Sequence, residues 1–143
     1  MIRHSIALLF IMLSAAVMQA QTGPCTDRAI KLGSLPTADR AFSYMPPYGK
    51  PVVGKTQIET ANAKDFADRT NIKWEWVSDR RIVSAPSGEM AYEHGTVHVS
   101  YENRKDGSPH EFKAVILSVY MAKGDVCQRV AETMQPLGEH DDR

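Results

Sequence analysis

The chain has 143 residues, of which 43% are hydrophobic and 24% charged, and its 17 basic residues balance its 17 acidic ones. This balance, with no long run of either sign, argues against electrostatic binding of nucleic acid, which needs a basic surface. The length fits one domain with its own core and is short for two domains.

The first twenty residues have the pattern of a secretory signal peptide. Arg3 precedes an apolar run over residues 6–18. Because this run is shorter than the ~20 residues of a membrane-spanning helix, we predict a cleaved leader over residues 1–20 and a single mature domain over residues 21–143. The mature chain would then be exported to the periplasm or the medium, with no stable insertion in a membrane. A retained amphipathic anchor is the alternative.

Short elements occupy the start of the mature chain. We predict a short helix over residues 26–32, a short strand over residues 41–45 and a loop over residues 46–51. The loop follows from its three prolines, because each proline fixes φ and lacks a backbone donor.

A longer helix is predicted from Gly54 to near Arg69. Thr56 and Glu59 have the spacing of a capping box, in which each side chain bonds a free backbone amide at the start of a helix. Ile58 belongs to the apolar face of this helix, which we expect to pack against a sheet.

Four strand-like runs fill residues 72–134 and are separated by turn clusters at residues 86–88, 106–108 and 124–125. The runs are rich in β-branched and aromatic residues, and the clusters are rich in glycine, aspartate, serine and proline. The simplest interpretation is a four-stranded antiparallel meander.

In the first run, Trp74 and Trp76 alternate with Lys73 and Glu75. Because side chains alternate between the two faces of a strand, both indoles should project from one face. We expect that face to be the buried one. The two indoles then either pack in a core or line an apolar pocket.

The second and third runs make two further predictions. Val97 and Val99 have the opposite parity to Met90 and Tyr92, so we predict a bulge at Gly95 that bends the strand and switches its faces. The third run is apolar at nearly every position from 114 to 120. It should be a central strand covered on both sides, by a helix and by a partner subunit.

Candidate residues for chemistry are few. Proton transfer needs a base and a donor aimed at a developing oxyanion. His94 and His98 are the strand histidines, and Tyr44, Tyr92 and Tyr120 are the candidate donors. Solvent-facing histidines are the simpler interpretation. Two imidazoles without a third ligand do not make a zinc site, so we expect no metal and no cofactor.

The two cysteines, Cys25 and Cys127, have two interpretations. In an exported chain a disulfide between them is chemically permitted, and it would stabilise the fold by constraining the unfolded chain. Alternatively, Cys127 is a small buried apolar residue and Cys25 a loose thiol. The sequence leaves both open because it does not give the Cα separation that a disulfide requires.

Five segments form an ordered series of motifs. They are a proline–glycine loop that leads into a helix start (residues 45–58), a Trp-Glu-Trp strand (74–76), a Ser-Gly-Glu hairpin (87–95) and two turns (106–107 and 124–127). In this order the motifs resemble the nuclear transport factor 2-like (NTF2-like) superfamily, and most closely its SnoaL-like, DUF4440-type members. The resemblance covers residues 41–136.

The resemblance implies an α+β fold, a cone-shaped NTF2-like (cystatin-like) domain in which a bent antiparallel sheet packs on a few helices around a pocket. It also implies a shortened N-terminal helical part, because only about twenty mature residues precede the first strand. Ketosteroid isomerase-like relatives place an acidic base near that strand, where this chain has none, so their activity is not transferred. The pocket candidates are Tyr44, Trp74, Trp76, Tyr92, His94 and Tyr120.

Three functional hypotheses follow from this resemblance. The first is an exported, noncatalytic domain that binds a small apolar or amphipathic molecule in its cone. The second is an enzyme of the isomerase, cyclase or hydrolase type that uses the same pocket. The third is a homodimeric scaffold that associates through its sheet face and fills its pocket with side chains. None of the three involves nucleic acid.

Overall fold

The computed structural model describes residues 23–32, 35–45, 49–77 and 79–138. The predicted signal peptide lies outside these ranges and stays a prediction. The helices and strands follow one another in the order α1 Asp27–Leu32, β1 Thr37–Tyr44, β2 Val52–Val53, α2 Lys55–Ala67, β3 Arg69–Trp76, β4 Arg81–Ser84, β5 Met90–Asn103, β6 Pro109–Lys123 and β7 Val126–Leu137. None of the helices in the described ranges is long and apolar enough to cross a membrane.

The strands form one mixed sheet in the order β2-β1-β7-β6-β5-β3, and β4 also pairs with β5. Strands β5, β6 and β7 are the predicted antiparallel meander, and its connections are the predicted turns. The first predicted run is two strands, β3 and β4, both paired with β5. Strand β1 joins the far side of the meander parallel to β7, a pairing the sequence did not predict. The predicted α+β fold is confirmed.

The sheet has an inner face and an outer face. The inner face carries the odd-numbered residues of β5 and the even-numbered residues of β6, which pair with one another and are largely buried. The outer face carries the alternate residues. Because side chains alternate strictly along a strand, placing one residue of β5 on a face also fixes the face of every other residue in the strand.

The predicted bulge at Gly95 is wrong. The pairing of β5 with β6 runs without a shift from Met90 to Glu102. Gly95 instead lies under the connection between β3 and β4, where a Cβ atom would come within 2.9 Å of the Cα of Arg80. Glycine is needed here for close approach of a second backbone, and the strand keeps its faces.

Helix α2 begins two residues earlier than a capping box of Thr56 and Glu59 requires. Its N-cap is Gly54, at φ 98°, with no side-chain cap hydrogen bond. Thr56 therefore lies inside the first turn, and the predicted capping box with Glu59 does not form. The positive φ explains the glycine, because other residues reach this conformation only with strain. Ile58 is the buried residue of the helix, as predicted.

Helix α1 confirms the predicted short helix and is fastened to the sheet. Cys25 and Cys127 form a disulfide with a Cα separation of 5.0 Å. Next to it, the backbone amide of Cys25 donates to the carbonyl of Gly88 at 2.9 Å. Ile30 of α1 is buried in one cluster with Tyr120 and both cysteines. Cys25 and helix α1 therefore cover part of the inner face of the sheet.

Candidate functional site

A cavity of about 220 Å³ lies between α1 and the inner face of the sheet. One part of its wall is apolar and consists of Ile30, Leu35, Trp76 and Ile116. The cavity is smaller than a typical pocket for a drug-sized ligand, which spans ~300–1,000 Å³. It therefore suits a small molecule.

The first polar group in the cavity wall is built around Glu93 of β5, which is buried. Arg80 Nε donates to one carboxylate oxygen at 2.5 Å, and the Tyr120 hydroxyl donates to the other at 2.9 Å. The guanidinium of Arg80 lies 4.8 Å from the centre of the Trp76 ring. Burial and the Glu93 carboxylate raise the pKa of Tyr120 well above its usual range, so its hydroxyl remains a donor.

The second polar group lies on β7, beside the first. Arg129 Nη1 donates to Glu132 at 2.6 Å, and the Ser118 hydroxyl donates to the same carboxylate oxygen at 3.2 Å. Arg129 Nη2 also donates to the Thr37 hydroxyl at 3.2 Å, which connects β1 to the group. The cavity thus contains two arginine–carboxylate pairs whose formal charges cancel.

Two of the predicted pocket residues, Trp76 and Tyr120, line the cavity. Trp74 pairs with Val99 on the same inner face, as predicted from the alternation. It lies outside the cavity wall, however, and 45% of it is exposed. The expectation that the indoles are buried is therefore wrong, because nothing in the described residues covers this end of β3.

The other pocket candidates, Tyr44, Tyr92 and His94, lie on the outer face. The side chains of Tyr92 and His94 flank Glu93 in the strand, so they point away from the cavity that Glu93 lines. Tyr44 pairs with Thr133, which is opposite Leu117 on the exposed face. The register therefore corrects the prediction that these three residues line the pocket.

The pocket residues predicted from the sequence do not include Arg80, Glu93, Arg129 or Glu132. Glu93 has the same parity in β5 as Val97, which places both on one face, but the predicted bulge at Gly95 put them on different faces. Arg80 belongs to the charged run of residues 79–81, which could hold an anionic ligand but is most simply interpreted as strand surface. The structure separates this run: Arg80 turns inward, while Arg81 pairs with His94 on the outer face.

The histidines do not form a metal site in the described part of the chain. Without a bulge, His94 and His98 share the outer face. His98 Nε2 lies 3.2 Å from a carboxylate oxygen of Glu111. No third His, Cys, Asp or Glu of the described residues completes a cluster.

The outer face carries a continuous apolar surface, which we call the outer patch. Its rows follow the register; one row runs from Val83 through Tyr92, Val119 and Ala131 to Phe42. Leu117 lies near the middle of the sheet and is 40% exposed. The members of the outer patch with large exposed side chains are Phe42, Val83, Met90, Tyr92, Val115, Leu117 and Met121.

No protein-family model matches this chain, and no curated protein does. Solved structures do match. An NTF2-like superfamily protein from Salmonella enterica is 13% identical over 78% of this chain and 80% of that one, with a TM-score of 0.63. A ketosteroid isomerase-like protein from Erwinia carotovora is 12% identical over 72% and 77%, with a TM-score of 0.58.

A protein with a cystatin-like fold from Caulobacter vibrioides is 15% identical over 71% of both chains, with a TM-score of 0.57. Identities this low show the fold alone. The chain therefore has the NTF2-like fold that its motifs predicted, while the narrower DUF4440-type assignment stays a prediction.

Proposed function

We propose that this chain is an exported NTF2-like domain that binds a small amphipathic molecule in the cavity under α1, without chemical turnover. The cavity itself carries this proposal. It combines an apolar wall with two arginine–carboxylate pairs, the mixture that orients a ligand with one apolar and one polar end. The mixed wall favours an amphipathic ligand over a purely apolar one.

The hydrogen bonds of Glu93 support binding over catalysis. A general base needs a free lone pair within reach of the substrate proton. Both oxygens of Glu93 already accept hydrogen bonds, from Arg80 and Tyr120. His94, the candidate base of the enzyme hypothesis, lies on the other face of the sheet. An isomerase, cyclase or hydrolase that used Glu93 as its base would therefore have to compete with the hydrogen bonds from Arg80 and Tyr120.

The disulfide supports export. Disulfides persist in oxidising compartments such as the periplasm and the extracellular medium, and they are rare in the cytosol. The Cys25–Cys127 bond therefore agrees with the leader predicted over residues 1–20. Export places the binding site outside the cytoplasm.

Native mass spectrometry of the gently purified full chain tests the binding function. We expect extra mass that disappears on denaturation. Replacing Trp76 by alanine should weaken binding by about 2 kcal/mol, roughly thirtyfold, because it removes an aromatic wall of the cavity. The Trp76→Ala protein should therefore be recovered without the extra mass.

Tyr92→Ala is the matched control, because Tyr92 and Trp76 are both 37% exposed but lie on opposite faces. It should retain the extra mass. A bare wild-type protein, or a Trp76→Ala protein that keeps its ligand, would contradict the proposed site. A retained molecule that is converted on incubation would favour the enzyme hypothesis.

A second function, self-association through the sheet, is favoured by the outer patch. Exposed apolar side chains that lie side by side on neighbouring strands are typical of association surfaces. A two-fold dimer could cover the patch with its own copy, because each subunit would present the same surface. This function is compatible with ligand binding, since the two sites use opposite faces of the sheet.

Replacing Leu117 by glutamate should dissociate such a dimer. A charge buried without a partner costs about 3 kcal/mol or more, so the dimer Kd should rise by roughly a hundredfold. Size-exclusion chromatography with light scattering measures the mass of each form. Phe66→Glu, at an exposed apolar residue of α2 outside the outer patch, is the control and should leave the dimer intact. A monomeric wild-type protein at high concentration would rule out the scaffold hypothesis.

A further inference from the structure

We infer that the molecule bound in the cavity is a small carboxylic acid with an apolar body, and that Arg80 and Arg129 receive its carboxylate. This inference rests on the proposed binding function and adds the chemical class of the ligand.

The cavity offers more unused donors than acceptors. A guanidinium has five N–H groups. Among the described residues, Arg80 donates to Glu93 and to the Ile30 carbonyl, and Arg129 donates to Glu132 and Thr37, so each uses two nitrogens. By contrast, the carboxylates of Glu93 and Glu132 each accept two hydrogen bonds, about half of what a carboxylate can accept. A ligand rich in acceptor oxygens fits this surplus of donors.

The exposed fractions of Arg80 and Glu93 also favour an anionic ligand. The side chain of Arg80 is 26% exposed, whereas that of Glu93 is 6% exposed. The positive group of this pair therefore fronts the cavity, and the negative group lies behind it against Tyr120. On β7 the two partners are similarly exposed, Arg129 at 27% and Glu132 at 21%, so the asymmetry belongs to the Arg80–Glu93 pair. At that pair a ligand ammonium would meet the Arg80 guanidinium before the Glu93 carboxylate.

The Arg80 guanidinium is held in a fixed plane. It stacks on Trp76, and its Nη2 lies 3.5 Å from the Ile30 carbonyl of α1. A fixed guanidinium binds a carboxylate with less loss of conformational freedom than a mobile one, and it can do so through two parallel hydrogen bonds. This geometry favours a carboxylate over a single hydroxyl or carbonyl group.

The apolar body of the ligand has a surface to lie on. Trp76 borders the cavity beside Arg80, and Trp74 continues the same face of β3 toward solvent. An aromatic or short aliphatic body extending from the two arginines would cover Trp76 and approach Trp74. The exposed indoles, which the domain leaves uncovered, would then be partly buried in the complex.

Three probes with one apolar body and different polar groups test the inference: 4-phenylbutanoate, 4-phenylbutanamide and 4-phenylbutylamine. Isothermal titration calorimetry at neutral pH gives the Kd of each probe for the full chain. We expect the acid to bind about tenfold more tightly than the amide, because charge-assisted hydrogen bonds are stronger than neutral ones. The amine should bind most weakly.

Variants of the arginines test which groups are responsible. Arg129→Gln should remove the preference for the acid over the amide, and Arg129→Lys should keep part of it, because lysine retains the charge without the planar fork. Arg81→Gln is the matched control. It removes the same charge from the outer face and should leave the preference unchanged. The ratio of the two Kd values does not depend on the fraction of folded protein, so it is informative even for a destabilised variant.

Equal binding of acid and amide, or tighter binding of the amine, would overturn the carboxylate inference and leave the binding function standing. If none of the probes binds, the composition of the molecule retained in the native mass spectrum tests the inference. A retained molecule without a carboxyl group overturns it, and one with a carboxyl group supports it. If no probe binds and no mass is retained, both the binding function and the inference fail.

Discussion

The double variant Cys25→Ser/Cys127→Ser is expected to lose about 4–5 kcal/mol of unfolding free energy, the largest effect of any change considered for this protein. The disulfide joins residues 102 positions apart, and a crosslink over so long a loop removes much entropy from the unfolded chain. Both cysteines are buried, so the serine hydroxyls also enter an apolar cluster. Urea unfolding with linear extrapolation measures the change.

The site should respond to the same variant. Without the bond, the residues before α1 keep two backbone hydrogen bonds to the 85–88 turn. Helix α1 itself is then held by the Ser84 hydroxyl, which donates to Asp27 at 2.6 Å, and by Arg80, which donates to the Ile30 carbonyl. Loss of α1 from the inner face would open the cavity, so the variant should lose both stability and the ligand that the wild-type protein retains in native mass spectrometry. The variant with alanine at both cysteines separates the crosslink from the buried hydroxyls. A change below about 1 kcal/mol in both variants would mean that the bond does not constrain the unfolded chain as the entropic model requires.

Replacing Arg80 by leucine is expected to lower the free energy of unfolding by about 3 kcal/mol. Among the described residues, the substitution leaves the buried Glu93 carboxylate with Tyr120 as its one hydrogen-bond partner, and an uncompensated buried charge costs ~3–5 kcal/mol. We expect the lower end of this range because Arg80 is partly exposed and water can reach the site. Chemical denaturation at neutral pH gives the value.

A double-mutant cycle makes this prediction specific. Arg80→Leu/Glu93→Leu removes the orphaned charge, so it should recover a large part of the loss, because apolar replacement of a buried ion pair is often neutral. Arg81→Leu removes a neighbouring arginine from the outer face and should change stability by no more than about 0.5 kcal/mol. Additive effects of the Arg80 and Glu93 substitutions would show that the pair is not coupled.

The turns and the strand faces of the second half were predictable because they depend on neighbouring residues. Gly88, Gly107 and Gly124 all have positive φ in the structure, the conformation that glycine supplies at hairpin turns. The alternation of Trp74 and Trp76 correctly placed both indoles on one face. The NTF2-like fold itself came from the resemblance of the ordered motifs to a known superfamily, and the solved structures with this fold confirm it.

Sequence patterns alone were misleading where a distant backbone imposed the constraint. The sequence around Gly95 is typical of a bulge, but glycine is required there because the β3–β4 connection crosses close above it. Similarly, β1 pairs parallel to β7 across most of the chain. No local pattern records such a partner, because the partner's residues are not neighbours in sequence.

The sequence by itself therefore determined the turns, the alternation along each strand and, through the resemblance of its motifs, the fold, whereas the tertiary structure decided which face of the sheet holds the cavity. The alternation along β5 fixes which residues share a face, but it does not fix which of the two faces α1 covers. The attachment of α1 through Cys25 and Cys127 covers the face of Glu93, and the turn after β3 brings Arg80 to it. Charged groups become a site when burial forces them to pair, and burial depends on contacts between residues far apart in the chain.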